Sequence, residues 1–234
     1  MRKGLSDLLI RLSWLYKQLV SEYSEYDLIM PKSDHDNHMV TSVEEIEALA
    51  RRNEIRSIQL QHMELSLQVS LVELQDLLVH APNEPRLKGP FPVKTYEAIL
   101  ASCQSILDKF LSIRIVILKD IWATQVRKDL MLPASRELME MAGCVLLYFY
   151  LLASALQLKT PLPPYLPPAE KAREMLMLKL QRLPKITADL KKNKDCSDSE
   201  AVKDECYMVY YAFVVNMESI IIELDKVIID DATS

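Results

Sequence analysis

The sequence predicts an all-α fold, an elongated bundle of about six helices. Apolar residues recur at three- and four-residue steps through most of the 234 residues, which is the spacing of one helix face. No segment shows convincing alternation of apolar and polar residues, the pattern of a half-buried strand. The 12 prolines fall in the stretches between the periodic segments, where they mark helix boundaries.

The first predicted helix begins near the N-terminus. Its apolar stripe comprises Leu5, Leu8, Leu9, Leu12, Leu15, Tyr16, Leu19, Val20 and Tyr23. Residues 27–40 lose this period and gather Pro, Asp and Asn, so a loop is predicted there. Ser42 followed by Glu45 forms a capping box, which predicts the start of the next helix.

A long second helix is predicted over about 42–80, and it carries two apolar stripes. One stripe comprises Leu60, Met63, Leu67, Leu71, Leu74 and Leu78, and the other Ile58, Leu65, Val69 and Val72. A helix that is apolar on two faces is usually packed from two sides. We therefore expect this helix to be the central one.

Four further helices are predicted along the rest of the chain. Residues 80–92 hold four prolines and a glycine and predict a turn before a long third helix over about 92–128. Pro133 ends the next connection, and Ser135 caps a fourth helix that runs to about residue 158. The fifth begins at Pro168 and stops near Pro184, and Ser197 with Glu200 caps the sixth. Short or medium connections favour antiparallel neighbours in one domain over residues 1–234.

The segment 159–173, KTPLPPYLPPAEKAR, has five prolines within eight positions. Its PxxP spacings lack a basic residue at the required offset, and its proline pair abuts Tyr165 directly, unlike a PPxY motif. A proline-rich ligand is therefore disfavoured. A rigid connector at 159–168 between the fourth and fifth helices is the preferred interpretation.

Met141–Leu158 contains eighteen residues without a formal charge, the minimum length for a membrane span. No cluster of positive residues flanks it to set an orientation, and it contains two tyrosines, a serine and a glutamine. A buried core helix is favoured, and a true span remains the alternative.

Composition disfavours several functional classes. The net charge of −5 argues against nucleic-acid binding, and 3 scattered glycines argue against the common phosphate-binding loops. The short basic run of Lys191, Lys192 and Lys194 is followed at once by acids and is interpreted as a solvated loop rather than an anionic-lipid contact. The four cysteines have no CxxC spacing, which is typical of free thiols in a reducing compartment.

No catalytic, cofactor-binding or metal site is predicted, and we expect the protein not to be an enzyme. The only cluster that resembles a metal site comprises Asp34, His35, Asp36 and His38, in a polar loop without further fixed ligands. His62 and His80 stand alone in the sequence. No GxSxG, HExxH or similar signature occurs.

Three stretches carry a family resemblance: RKGLSDLLIRLSWLYKQLVSEYSE, EPRLKGPFPVKTYEAIL and LLYFYLLASALQLKTPLPPYLPPAEKAR. In the same order, they resemble the C-terminal region of fungal endoplasmic-reticulum transporters. That group is related to the brefeldin A sensitivity protein and to the fusaric-acid-resistance and aromatic-acid-exporter proteins. The resemblance implies a domain of unknown function on the cytosolic face of a membrane, with transmembrane helices preceding it. It assigns no role to any single residue.

Three functional hypotheses follow. The first is a non-enzymatic accessory domain that packs against the transmembrane part of the same transporter or a second copy, with an apolar patch close to residue 1. The second is a free-standing adaptor with a partner groove far from residue 1, for which Met175 and Met177 would be adaptable contacts. The third is a small-molecule sensor with an enclosed pocket.

Overall fold

A computed structural model describes residues 1–25, 43–83, 91–119, 132–163, 165–166, 168–182 and 212–227. The helices are α1 (Arg2–Glu25), α2 (Val43–His80), α3 (Val93–Lys119), α4 (Leu132–Leu158), α5 (Ala169–Gln181) and α6 (212–227). A short 3-10 turn, Ala81–Asn83, follows α2. These ranges contain no strand. The predicted all-α bundle of about six helices is confirmed.

Most predicted helix bounds agree with the structure. α2 differs from its predicted range by one residue and, with 38 residues, is about 57 Å long. α3 starts at Val93, and its predicted extension to residue 128 lies outside the described residues. The loop at 27–40, the caps at Ser42 and at Ser197–Glu200, and Pro184 lie outside them as well.

The predicted start of α4, with Ser135 as N-cap and residue 136 as the first helical residue, was wrong by four residues. The helix begins at Leu132, so Pro133 lies in its first turn instead of ending the connection, and Ser135 is not its cap. The first turn of a helix tolerates proline because the missing N–H has no intrahelical acceptor there. α5 begins at Ala169 with Pro168 as its N-cap, one residue after the predicted start.

The central helix is α1, not α2 as expected. α1 packs along α4 and also contacts α2 and α3. Its whole predicted stripe from Leu5 to Val20 is buried. On α2 the stripe from Leu60 to Leu78 faces the core, whereas Ile58, Leu65, Val69 and Val72 are about half exposed or more. α2 is therefore packed from one side among the described residues.

Three contacts fix the relative directions of the helices. A Cβ added at Gly4 would lie 2.7 Å from a Leu74 methyl, so α1 begins beside the end of α2. The Ser6 hydroxyl donates to the Ala153 carbonyl at 2.9 Å, so α1 also begins beside the end of α4. The Arg2 Nε donates to the Tyr96 hydroxyl at 2.7 Å, which places the start of α3 at the same end. We call this the Arg2 end of the bundle.

Buried side chains from all six helices form one hydrophobic cluster. At its centre, the ring of Tyr16 lies 5.8 Å from that of Phe110 and 6.3 Å from that of Phe149, centroid to centroid. Tilted pairs at these distances are favourable beyond their buried area. On α6, the predicted stripe is confirmed where it is described: Phe213, Met217, Ile220, Ile221 and Leu224 are buried.

One charged residue occupies the core-facing stripe of α2. The Glu64 side chain is only 6% exposed, and both of its oxygens accept from the Arg114 Nε of α3, at 2.8 and 2.9 Å. Burial raises the pKa of Glu64, although the charge and hydrogen bonds of Arg114 act in the opposite direction. The guanidinium therefore compensates for the burial of this carboxylate only in part.

Removal of Arg114 is expected to destabilise the bundle strongly. In Arg114→Met, the aliphatic stem is kept but the Glu64 carboxylate is left buried without its cation, which costs about 3 kcal/mol at neutral pH. Denaturant unfolding at pH 7 measures this loss. The double variant Glu64→Leu/Arg114→Met is the control and should recover to within about 1 kcal/mol of wild type. An equally unstable double variant would show that packing, not charge burial, governs this position.

Candidate interaction surface

The outer face of α2 is the largest run of exposed apolar residues on a single described helix. We define it by eight positions, all exposed: Ile55, Ile58, His62, Leu65, Val69, Val72, Asp76 and Val79. The six aliphatic side chains among them are between 48% and 70% exposed. Leu77 is also exposed, at 55%, but it lies beside this face. These exposed apolar side chains make the outer face the candidate interaction surface of the described residues.

The spacing of the outer face is that of a coiled-coil seam. Its positions alternate strictly between steps of three and four residues from 55 to 79. This 3.5-residue period keeps one seam facing a partner helix over its whole length. The core-facing stripe keeps the same alternation at positions 60, 64, 67, 71, 74 and 78. α2 therefore presents two seams on nearly opposite faces, and among the described residues only the core-facing one is covered.

The proline-rich connector turns the chain sharply after α4. Lys159 has a positive φ of 56°, and the Thr160 N–H donates to the Ala155 carbonyl at 3.2 Å, as in a Schellman cap. Leu162 and Leu166 pack against the core, while Tyr165 is 90% exposed. The described part of 159–168 is non-helical, as predicted, and Pro164 and Pro167 lie outside it.

α4 carries the most apolar sequence in the described part of the chain. By length and composition alone, Pro133–Leu158 is the one helix among the described residues that could cross a membrane, with a mean hydropathy of 1.8. Half of this apolar stretch is buried in the bundle. The buried residues, from Leu138 to Leu156, pack against α1 and α5. Core helices of soluble proteins meet the same test, so it is weak support for a span.

A polar cluster joins α4, α5 and α6. The Tyr148 hydroxyl of α4 donates a hydrogen bond to Asp225 of α6, close to Glu170 of α5. One turn further along α5, Arg173 contacts Glu218 of α6 at 2.5 Å. Burial first, and then the charge of Glu170, raises the pKa of Asp225, which the Tyr148 hydrogen bond partly opposes. This cluster links three helices, and within it the Asp225 carboxyl group has a raised pKa.

Asp225→Asn is expected to stabilise the protein at neutral pH. Because the folded chain holds the Asp225 proton more tightly than the unfolded chain, this group costs stability as pH rises from about 4 through its raised pKa. The asparagine removes that cost and can still accept from Tyr148. The difference in melting temperature between variant and wild type should grow from pH 3 to pH 7. Asp7→Asn, on exposed α1 surface, is the control, and equal pH profiles for Asp225→Asn and wild type would refute the assignment.

The core contains further polar groups without a place in a site. The Tyr16 hydroxyl is fully buried and has no hydrogen-bond partner among the described residues. Burial, and then the nearby Cys144, raises the pKa of Tyr16. Burial also raises the pKa of the Cys103 thiol to about 12. Cys103 and Cys144 are both free, and neither is an activated nucleophile.

The structure leaves the sequence-predicted candidates apart. His62 and His80 lie on α2 and are exposed, and no three potential metal ligands converge among the described residues. Asp34, His35, Asp36, His38 and the run 191–194 lie outside the described ranges. Met177 lines an open depression of about 240 Å³ whose walls all come from α5, and Met175 is 53% exposed. That depression is neither an enclosed pocket nor a groove between helices.

The described residues form an all-α bundle in which one face of α2 combines exposed apolar side chains with coiled-coil spacing. A comparison with protein families makes the identification specific. The Brefeldin A-sensitivity protein 4-like domain matches residues 1–229, nearly the whole chain, and the protein belongs to that family. None of the curated proteins matches the chain significantly.

Proposed function

We propose that this chain is a non-enzymatic accessory domain of a membrane transporter. We place it on the cytosolic face of the membrane, with the endoplasmic reticulum as the first candidate compartment. It acts by packing α2 against another helix of the transporter assembly. The observation that carries the proposal is the outer face of α2. This face has the length and period of a helix-pairing seam, yet the described helices leave it exposed.

Two further observations support this role. The domain belongs to a family that is named after sensitivity to the drug brefeldin A. Free thiols at Cys103 and Cys144 are typical of a compartment such as the cytosol, where thiols stay reduced. The first hypothesis expected an apolar patch close to residue 1. The Val79 end of the outer face is near residue 1, about one and a half turns beyond Leu74, the neighbour of Gly4, and its Ile55 end lies about 36 Å further along α2.

The flanks of the outer face are rich in glutamine. Gln59, Gln61 and Gln75 are exposed beside it, Gln68 is hydrogen-bonded to Gln104 of α3, and Glu54 and Glu73 occupy the same flanking positions. Charged flanking residues normally set partner choice in coiled coils, whereas glutamines accept several partners through their amides. Partner selection would therefore depend on Glu54 and Glu73 at the flanks and on His62 and Asp76 within the seam, since a buried polar group needs a matching polar partner.

Charged substitutions on the outer face are expected to abolish function without unfolding the domain. Leu65→Lys/Val69→Lys changes two exposed side chains and should alter stability by no more than about 0.5 kcal/mol per site. In cells, the variant should shift growth in brefeldin A to the level of cells that lack the protein. The matched control is Leu77→Lys, on the same helix and equally exposed but beside the seam. It should behave as wild type.

Two outcomes would contradict the proposal. In the first, deletion of the protein leaves brefeldin A sensitivity unchanged. In the second, Leu65→Lys/Val69→Lys and Leu77→Lys have equal effects while both proteins keep the wild-type melting temperature.

A further inference from the structure

Of the three most exposed large hydrophobic side chains among the described residues, two lie at the Arg2 end of the bundle and the third lies in the connector that follows α4. Tyr165 is 90% exposed, Val79 is 70% exposed and Leu158 is 69% exposed. They come from three segments that are distant in sequence: the connector, α2 and α4. The meeting of Val79 and Leu158 at one end is thus a property of the fold.

Contacts already described place Val79 and Leu158 at this end, and they show that the connector carrying Tyr165 is anchored. Val79 is next to the last residue of α2, just beyond the turn that lies against Gly4. Leu158 is the last residue of α4, beyond Ala153, whose carbonyl accepts from Ser6. Tyr165 follows the sharp turn at Lys159 and lies between Leu162 and Leu166, which hold the connector against the core. The tyrosine ring therefore projects from an anchored segment.

Four exposed cations lie at the same end: Arg2, Lys3, Lys94 and Lys159. They occupy the first turn of α1, the first turn of α3 and the residue after α4. The exposed acids on these helices and α2, such as Asp76 and Glu97, lie about one turn or less further from the end. The chain as a whole has a net charge of −5, whereas the outermost turns of the described helices at this end carry these four cations. We call it the basic end.

We propose that the basic end binds the surface of an anionic lipid membrane, an inference that rests on the proposed membrane-facing role of the domain. Protruding apolar side chains enter the headgroup boundary while cations remain at the charged surface. Tyrosine is enriched at that depth because its ring is apolar and its hydroxyl is polar. A protein partner would need a continuous packed interface of about 1,000 Å² or more, whereas a lipid interface accepts separate protruding side chains.

The basic end and the outer face of α2 are compatible sites. α2 runs along the bundle, so its outer seam faces sideways while the basic end faces the bilayer. A partner helix can therefore lie against α2 when the domain rests on the membrane.

Vesicle flotation with the complete 234-residue chain tests the proposal. Vesicles of phosphatidylcholine alone are compared with vesicles that also contain phosphatidylserine. Wild type is expected to float with the anionic vesicles and to bind the neutral ones at least tenfold more weakly, since each cation near an anionic surface contributes roughly a fivefold gain. Lys3→Gln/Lys94→Gln should weaken binding to the anionic vesicles about 25-fold.

The matched control is Lys17→Gln/Lys171→Gln, which removes the same charge from exposed positions away from the basic end. It should reduce binding by less than about threefold. Tyr165→Ser tests the apolar contribution and should also weaken binding, with an unchanged melting temperature because the side chain is exposed. Absence of binding, equal binding to both vesicle types, or equal losses for the two lysine pairs would overturn the proposal.

The vesicle experiment can refute the lipid-binding proposal without refuting the proposed function, and the reverse also holds. Vesicle binding that is lost in Lys3→Gln/Lys94→Gln but unaffected in Leu65→Lys/Val69→Lys supports the basic end whatever the role of α2. If Leu65→Lys/Val69→Lys changes growth in brefeldin A as expected but the wild-type chain binds no vesicles, the accessory role of α2 stands. The proposal that the basic end binds lipid is then refuted.

Discussion

The insertion of α1 between α4 on one side and α2 with α3 on the other is the constraint on which the structure depends. A helix in that position must be apolar over most of its circumference, and α1 buries its predicted stripe from Leu5 to Val20. Its two buried polar residues are small. Ser6 bonds to the Ala153 carbonyl, and Ser13 returns its hydroxyl to the Ile10 carbonyl at 2.6 Å. Small side chains at these positions allow close helix approach with their polar groups satisfied.

The direction of α1 also decides which chain ends meet. Because α1 runs against α2 and α4 and with α3, the Arg2 end collects two helix starts and two helix ends. The basic end is a consequence of this topology. Since α1 already fills the centre, α2 is left at the periphery, and the described residues leave its second seam uncovered. The position of α1 thus connects the core to both proposed surfaces.

Helix periodicity was sufficient to predict the class of fold and most helix bounds, because each helix buries a continuous stripe with a period near 3.6. It could not decide which stripe of α2 is buried, since both have the same period and similar apolarity. The burial of Glu64 was missed for a related reason. Its partner Arg114 is 50 residues away in sequence, and only the folded structure brings the two together. Pro133 was misplaced because proline suits both a connection and a first helical turn.

The basic end could not be predicted from composition. Its cations are separated by up to 157 residues in a chain with a net negative charge. The sequence therefore contains no run of lysines that would indicate a basic surface there. The run at 191–194, which is visible in the sequence, lies outside the described residues. The exposure of Val79 and Leu158 could not be predicted from the sequence either. Each residue continues the apolar pattern of its helix, and only the packing of the helices leaves it exposed.

The central claim is that α1 is enclosed while the outer face of α2 is not, and paired truncations test it most directly. Leu12→Ala on α1 and Val69→Ala on α2 are compared by denaturant unfolding of the same chain. Leu12 is completely buried and Val69 is 56% exposed. The account predicts a loss of about 3 kcal/mol for Leu12→Ala and at most about 0.5 kcal/mol for Val69→Ala. Comparable losses, or a larger loss at Val69, would contradict it and would restore α2 as the helix packed from two sides.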